Sequence, residues 1–256
     1  PLQVGRFKVT DFRGKNAWLN VAEIFVYSSN IGAAKMALLS GSDKQKEFMR
    51  KLGYLEAPRF EIPEVGAPML PKKWNDPATI TISYGYGLSI SPLQLVSGVA
   101  TVVGGGLRKF PTALKSHGKE SQGTRVVSEA TSRIMRELMR FVVTNGTSRK
   151  ANIPGYMIFG KTGTANLRSG RGYQKDKVMA NFIGVLGKGY ETPQYIVYVM
   201  LDDPKRLQKT YGFNNAGWNA APVGGRIIAR MAPILGVLPS EKEEEMPDAF
   251  FRNVKF

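Results

Sequence analysis

The sequence contains no cysteine and only one histidine among its 256 residues. Disulfide bonds and thiolate chemistry are therefore excluded, although a chain without cysteine fits an oxidising and a reducing compartment equally well. A single histidine also argues against a zinc site, because zinc in proteins is held mainly by cysteine and histidine. We expect neither a metal nor a cofactor.

Long apolar runs are also missing. The longest run, residues 195–201, has the length of a strand and is far too short to cross a bilayer. Neither a signal peptide nor an anchor is visible at the first residues. The fractions of hydrophobic (43%) and charged (22%) residues are those of a globular protein, and 256 residues are enough for one large domain with a sizeable core.

Acidic residues are few, 20 against 36 lysines and arginines, and the net charge is +16. A nucleic-acid-binding surface would add aromatic side chains that stack on bases. Instead, Arg133, Arg136 and Arg140 recur at helical spacing, which predicts the solvated face of an amphipathic helix. We therefore expect no nucleic acid partner, and the charge favours an acidic polymer and the anionic membrane surface beside it.

One stretch combines strand-forming residues with polar chemistry: Lys161, Thr162, Gly163 and Thr164, here called the Lys-Thr-Gly-Thr segment. It follows an apolar, β-prone run and Gly160. Glycines on both sides of the lysine let a ligand approach the backbone, and the threonines add hydroxyl donors while favouring a strand. The pattern predicts a strand that holds an anionic, peptide-like ligand along its edge.

The same residues also match a phosphate-binding loop. Residues 155–162 fit G-x-x-x-x-G-K-[ST]. Downstream, an apolar run ends at Asp202, the form expected of the strand whose aspartate holds magnesium in such proteins. Such a loop must curl around the phosphate and then open a helix. Because residues 156–159 are bulky and apolar, and glycines follow at 163, 170 and 172, the sequence favours a strand over an NTPase loop.

A second polar group, Ser28, Ser29 and Asn30, stands where a helical pattern begins, and each of the three could cap that helix. Ser-x-Asn upstream of Lys-Thr-Gly is also the motif pair of penicillin-binding proteins and serine β-lactamases. Further segments resemble class B penicillin-binding proteins: residues 83–95, 102–106, 142–147, 181–184, 202–204 and 220–222. From about residue 2 to residue 238 the chain resembles their septal, division-specific group, penicillin-binding protein 3.

This resemblance implies an α+β fold, an antiparallel β-sheet covered by helices, as in penicillin-recognising serine transpeptidases and β-lactamases, incomplete at its N-terminal side. The predicted elements agree with it. Strands are predicted at residues 156–165, 178–186 and 194–201, before a helix that opens at Pro222. Residues 1–238 are assigned to the C-terminal portion of one transpeptidase domain, and residues 239–256 to an acidic and aromatic tail.

Local signals predict the remaining elements. Helices are expected to start near Asn20, at a cap formed by Ser42 and Asp43, at Ser91, and at Ser128. Five prolines between residues 58 and 77 predict a long irregular stretch, interpreted as a covering loop.

The family transfers acyl groups between peptidoglycan stem peptides that end in D-Ala-D-Ala and reacts with β-lactam antibiotics. By this resemblance the catalytic candidates are Ser28, Asn30 and Lys161. Ser28 would act in the proton relay, and Asn30 would bind the substrate amide. Lys161 would supply positive potential beside the substrate carboxylate.

The substrate-binding candidates are Thr162, Gly163 and Thr164. The two threonine hydroxyls would donate to the substrate carboxylate, and the Thr164 N–H would form half of the oxyanion hole. Gly163 would leave room for the substrate strand to lie alongside the protein.

The family's nucleophile lies in Ser-x-x-Lys, upstream of Ser-x-Asn, and residues 1–27 contain no such motif. The formal match at residues 116–119 lies downstream, in a polar, glycine-bearing stretch. We therefore expect the chain to begin after the acylated serine, to be inactive alone, and to have the missing N-terminal part of its own chain as a partner. Division and cell-wall synthesis proteins are further expected partners, at the periplasmic face of the bacterial inner membrane.

Two alternatives remain open at this point. The chain could be a non-catalytic binding or scaffold module that has lost the nucleophile. A serine β-lactamase fits less well, because residues 83–95 and 142–165 resemble class B transpeptidases.

Overall fold

The computed structural model describes residues 1–5, 7–115, 122–170 and 172–240. Its helices are α1 (Val21–Tyr27), α2 (Asn30–Ser40), α3 (Ser42–Leu52), α4 (Asp76–Ser83), α5 (Pro92–Val103), α6 (Glu129–Thr144) and α7 (Ala220–Ile234). Its strands are β1 (Leu2–Val4), β2 (Phe7–Val9), β3 (Leu107–Arg108), β4 (Thr124–Arg125), β5 (Met157–Ser169), β6 (Gly172–Gly187) and β7 (Pro193–Asp202). The long strands thus all follow α6.

The three long strands form an antiparallel sheet in the order β5-β6-β7, and α7 packs against β6 and β7. The predicted α+β class with an antiparallel sheet is therefore confirmed. Two small hairpins, β1–β2 and β3–β4, add to it. Their strands have only two or three residues each, too few for the alternation that reveals a strand in a sequence.

The described residues form two compact units. One contains residues 1–24 and 28–135, and the other contains residues 25–27 and the chain from residue 136 onward. The assignment of residues 1–238 to one transpeptidase domain stays a prediction. Most of the predicted tail, residues 241–256, and the formal Ser-x-x-Lys match at residues 116–119 lie outside the described residues.

Most predicted helix starts carry the expected capping chemistry. At α1 the Asn20 N–H donates to Glu23 Oε2 at 2.8 Å, and the Glu23 N–H donates to Asn20 Oδ1 at 2.9 Å. Ser91 and Gln94 form the same reciprocal arrangement at α5. Ser128 Oγ accepts a backbone N–H of the first turn of α6 at 3.0 Å. These local bonds satisfy amide groups that a helix start leaves without partners.

Three helix starts differ from the prediction. α7 begins at Ala220, two residues before Pro222, and the Asn219 side chain caps it. α3 begins at Ser42 itself, so that Gly41, which has no side chain, occupies the cap position, and the Ser42 hydroxyl instead accepts from Thr79 Oγ1 at 2.9 Å. α4 forms at the end of the proline-rich stretch, because Pro77 lies in its first turn, where a helix tolerates proline, and Asn75 caps it. The irregular stretch therefore ends two residues earlier than its prolines suggested.

The arginines of α6 are not the solvated face that their spacing predicted. Arg133 is exposed, but Arg136 is 1% exposed and its Nη2 lies 2.9 Å from Glu191 Oε2. Arg140 is half-buried and donates to the backbone oxygen of Ile158 at 3.2 Å. Arg136 and Arg140 thus bind α6 to the sheet and its β6–β7 connection.

One aromatic ring of the sheet is packed closely against glycines of the sheet and of α7. Phe182 of β6 is fully buried, and three glycines border its ring. A Cβ atom added to Gly160, Gly184 or Gly224 would lie 2.8, 2.7 or 2.3 Å from the nearest ring atom. Close packing against this ring therefore requires a glycine in β5, in β6 and in α7.

Candidate active site

The Lys-Thr-Gly-Thr segment lies in the middle of β5. Its four residues pair in regular antiparallel register with residues 183, 182, 181 and 180 of β6. Within the described residues, β6 is the only strand that pairs with β5. Alternate backbone groups of β5 therefore point away from the sheet, where an extended ligand can bond to them.

The phosphate-loop interpretation of residues 155–162 is wrong. Gly155 has φ +80° in a turn, but β5 begins at Met157 and continues through Thr162 to Ser169. The next element is β6, not a helix. The N–H groups of a strand alternate in direction, so they do not converge on a phosphate as those of a cradle do.

The two glycines that flank Lys161 differ in their surroundings. A Cβ at Gly160 would lie 2.8 Å from the Phe182 ring and 3.1 Å from the backbone oxygen of Ile183. A Cβ at Gly163 would meet only the Cβ of Asn181, at 3.9 Å, which is ordinary contact. Packing within the chain therefore requires Gly160, whereas at Gly163 it leaves the space for a side chain open.

Two loops hold the threonines of the segment. The Thr162 hydroxyl is buried and lies 2.6 Å from the hydroxyl of Thr147, which follows α6. Thr164 is exposed, and its Oγ1 accepts the backbone N–H of Ala216 at 3.0 Å. Since a hydroxyl that accepts one bond can still donate its own hydrogen, Thr164 can donate to a ligand oxygen.

The Lys161 ammonium is held close to the strand that carries it. Its Nζ donates to the backbone oxygen of Thr162 at 3.0 Å and lies 5.9 Å from the centre of the Phe25 ring. Burial lowers the pKa of Lys161 to about 8, because desolvation disfavours the charged form. An anionic ligand would favour that charged form.

The Ser28–Asn30 group forms the turn between α1 and α2. Ser29 caps α2, because its buried hydroxyl accepts the Gly32 N–H at 3.0 Å. Ser28 is exposed and has φ +58°, a left-handed conformation. Asn30 is the first residue of α2. The side chains predicted to act on the substrate are thus the two neighbours of the cap.

Two residues at the end of β2 contact this turn. Asp11 Oδ2 accepts the Ser29 hydroxyl at 2.9 Å, and Asp11 Oδ1 accepts the Ile31 N–H at 3.0 Å. The Asn30 side chain donates through Nδ2 to the backbone oxygen of Thr10 at 3.0 Å. Its Oδ1 and its second amide hydrogen are not part of that bond.

The candidate residues therefore fall into two groups. Lys161, Thr162, Gly163 and Thr164 lie together on β5 in one unit, and Ser28 and Asn30 lie together at the α1–α2 turn in the other.

Sequence reasoning missed the residues that support these groups. Thr147 belongs to a segment that resembles the family, which could have drawn attention to it. Ala216 acts through its backbone, and Asp11 is 18 residues from Ser29, so neither leaves a local signal in the sequence.

Comparison with known proteins identifies relatives of this chain. The chain matches the family described as "Penicillin binding protein transpeptidase domain" over residues 2–228. It is 34% identical over 250 residues to "Probable peptidoglycan D,D-transpeptidase FtsI" of Caulobacter vibrioides, covering 93% of this chain and 42% of that protein.

Solved structures agree with the sequence comparison. The apo transpeptidase domain of penicillin-binding protein 3 from Burkholderia pseudomallei is 33% identical, with a TM-score of 0.78 over 88% of this chain and 67% of that one. Penicillin-binding protein 3 from Mycobacterium tuberculosis, complexed with ampicillin, is 26% identical, with a TM-score of 0.76 over 90% of this chain and 55% of that one.

The chain spans less than half the length of the Caulobacter relative. The match to the family nevertheless covers most of the chain, including both groups of candidate residues. The resemblance to class B enzymes and to penicillin-binding protein 3 that the motifs predicted is confirmed. This chain belongs to the penicillin-binding protein transpeptidase domain family.

Proposed function

We propose that the chain is part of a peptidoglycan D,D-transpeptidase that cross-links stem peptides ending in D-Ala-D-Ala during cell division. The observation that carries the proposal is the open space at Gly163, beside Lys161, on a strand that pairs with β6 alone among the described strands. The name of the Caulobacter relative supports the same activity.

The carboxylate end of the peptide would bind at the hydroxyl-bearing side of β5. Thr164 Oγ1 already accepts the Ala216 N–H, and the Thr164 hydroxyl can still donate its own hydrogen to a carboxylate. Thr162 and Thr147 share one hydrogen bond, so one hydroxyl hydrogen of the pair remains for a ligand. The Lys161 ammonium adds positive potential, which a partly desolvated site strengthens.

The peptide backbone would lie along β5 as an added strand. Such binding uses main-chain hydrogen bonds and needs close approach between two backbones. Gly163 permits this approach, because it presents no side chain and its neighbours leave the space open. The Thr164 N–H would then polarise the scissile carbonyl as half of an oxyanion hole.

Two residues of the α1–α2 turn would act directly on the reacting groups. Ser28 would relay a proton between the nucleophile and the leaving amine, and Asn30 would bind the amide of the peptide being acylated. Asn30 has the donor and acceptor capacity for this, since its bond to Thr10 uses only one amide hydrogen.

The acylated serine would come from a Ser-x-x-Lys segment outside these 256 residues. Its Oγ would attack the penultimate D-Ala carbonyl, the terminal D-Ala would leave with the proton, and an amine of a second stem peptide would take the acyl group. The same serine would react with β-lactams, as the ampicillin complex of the Mycobacterium tuberculosis relative suggests by analogy. Residues 1–256 alone would remain inactive.

The proposed location is the periplasmic face of the bacterial inner membrane, where division proteins and stem peptides meet. The name of the Caulobacter relative supports a role in peptidoglycan synthesis. None of the described helices is long and apolar enough to cross a membrane.

A non-catalytic binding module is the second candidate, because the residues on β5 and at the turn hold ligand-binding groups without a nucleophile. Release of D-Ala from an N-acylated peptide ending in D-Ala-D-Ala distinguishes the two. The test uses a form of the protein that includes a Ser-x-x-Lys segment, with the L-Ala-L-Ala peptide as control. D-Ala release only from the D,D-peptide supports the transpeptidase. Binding without release supports the binding module. If the peptide is neither bound nor cleaved, both proposals are contradicted.

A further inference from the structure

The turn that carries the Ser-x-Asn motif contains a strained backbone. Ser28 has φ +58°, a left-handed region that residues with a Cβ rarely adopt. Such a conformation persists only where surrounding contacts determine it, and such sites cluster where function needs a fixed geometry. Part of the constraint is local, because the Ser29 N–H donates to the Ile24 backbone oxygen at 3.0 Å and closes the end of α1 around Ser28. Longer-range contacts hold the residues that follow Ser28.

Asp11 makes the central contacts. One carboxylate oxygen accepts the Ser29 hydroxyl at 2.9 Å, and the other accepts the Ile31 N–H at 3.0 Å. The Ser29 oxygen in turn accepts the Gly32 N–H at 3.0 Å. Asp11 thus uses both oxygens on the two residues that flank Asn30.

The residue before Asp11 completes this arrangement. Thr10 accepts the Asn30 side chain through its backbone oxygen at 3.0 Å. Two consecutive residues at the end of β2 therefore contact three consecutive residues, 29–31, at the start of α2. The carboxylate also lies near the positive end of a helix of eleven residues, where a negative charge is favourable.

We propose that Asp11 is a positioning residue for the reaction. It does not touch the substrate. It fixes Ser29, which follows Ser28, and Ile31, which follows Asn30, and so it holds the backbone that carries both functional side chains. The inference rests on the proposed function, because positioning matters only if Ser28 and Asn30 act on a substrate.

Removing the carboxylate has a specific consequence. The Ile31 N–H and the Ser29 hydroxyl would lose their partner, while the Ser29 cap on Gly32 would remain. Helix α2 and the bond from the Ser29 N–H to the Ile24 oxygen would persist, but Ser29 and Ile31 could shift, and Ser28 and Asn30 would shift with them. A displacement of about 1 Å in a reacting group costs on the order of a hundredfold in rate. We therefore expect a loss of rate much larger than the loss of stability.

The test measures acylation by a fluorescent penicillin in a form of the protein that includes its Ser-x-x-Lys segment. Asp11→Ala is expected to lower the acylation rate constant roughly 10- to 100-fold, with the fraction labelled at completion unchanged. Asp11→Asn keeps one acceptor of the same shape and is expected to fall between Asp11→Ala and the parent. Asn75→Ala, which removes the cap of α4 instead, is the matched control and is expected to react at the parental rate.

The acylation rates of these variants decide whether Asp11 is a positioning residue. A parental rate in a folded Asp11→Ala protein overturns the inference, as does an equal slowing by Asn75→Ala. If Asp11→Ala does not fold, Asp11→Asn replaces it: amide exchange must rise at Ile31 along with slower acylation, and an unchanged rate overturns the inference. If the parent itself does not react, the proposed function fails, and this result is distinct from any failure at Asp11.

Discussion

The hydroxyl oxygens of Thr147, in the loop after α6, and Thr162, in β5, lie 2.6 Å apart, although the two residues are 15 positions apart in the sequence. Thr162 is buried and sits beside the lysine of β5. The bond therefore couples the loop after α6 to the strand that would bind the substrate carboxylate.

Thr147→Val tests this coupling. The substitution keeps the shape of the side chain but leaves the buried Thr162 hydroxyl without this partner. We expect a loss of about 1–3 kcal/mol in the free energy of unfolding, measured by denaturant titration, together with weaker binding of a D-Ala-D-Ala peptide. Thr147→Ser keeps the hydroxyl and should bind normally. Equal binding by the Val and Ser variants would contradict the role given to this bond.

Gly163→Ala separates packing from function. The added Cβ meets nothing nearer than 3.9 Å, so the melting temperature should stay within a degree or two of the parent, while peptide binding is lost. Gly160→Ala is the contrasting variant. Its Cβ would lie 2.8 Å from the Phe182 ring, and we expect destabilisation by about 1–3 kcal/mol. Normal peptide binding by a folded Gly163→Ala protein would argue against a ligand at this strand.

The pKa of Lys161 gives a pH prediction. Burial lowers this pKa to about 8, so the ammonium is lost as the pH rises through 8. The association constant for a peptide carboxylate should then fall by up to about tenfold per pH unit, as isothermal titration can measure. Lys161→Arg keeps its charge over this range and should remove the pH dependence.

The same pKa predicts the effect of pH on stability. Between pH 8 and the ordinary lysine pKa of 10.5, the unfolded chain binds the proton that the folded chain has released. The contribution of Lys161 to the free energy of unfolding therefore increases as the pH rises through this window. Comparison of denaturant titrations of the parent and Lys161→Met isolates this contribution. A difference that is independent of pH would contradict the lowered pKa.

Gly224→Ala tests the packing around Phe182. Alanine favours a helix over glycine by about 1 kcal/mol, but its Cβ would lie 2.3 Å from the ring. We expect net destabilisation by about 1–3 kcal/mol. Phe182→Leu in the same chain should relieve part of this cost, which a double-mutant cycle measures. Additive losses would show that the ring is not the obstacle.

The sequence predicted the features that depend on neighbouring residues. The long strands follow from β-prone apolar runs interrupted by glycine, and Asn20, Ser91 and Ser128 are found at their helix starts. The motif pair led to the family because its residue types and order are specific.

The failures share another cause. The spacing of Arg136 marks one face of α6, but periodicity cannot say whether that face meets solvent or Glu191, 55 residues away. The contacts of Asp11 with Ser29 and of Thr147 with Thr162 likewise depend on topology. Predicting them requires the fold, because no local pattern of residues specifies a long-range hydrogen bond.

Intact mass after incubation with penicillin tests the central claim most directly. The account predicts that residues 1–256 alone gain no mass, and that a longer form with a Ser-x-x-Lys segment gains the mass of one penicillin. It also predicts that Lys161→Ala slows this gain about a hundredfold or more. An adduct on residues 1–256 alone, or none on the longer form, would contradict the account.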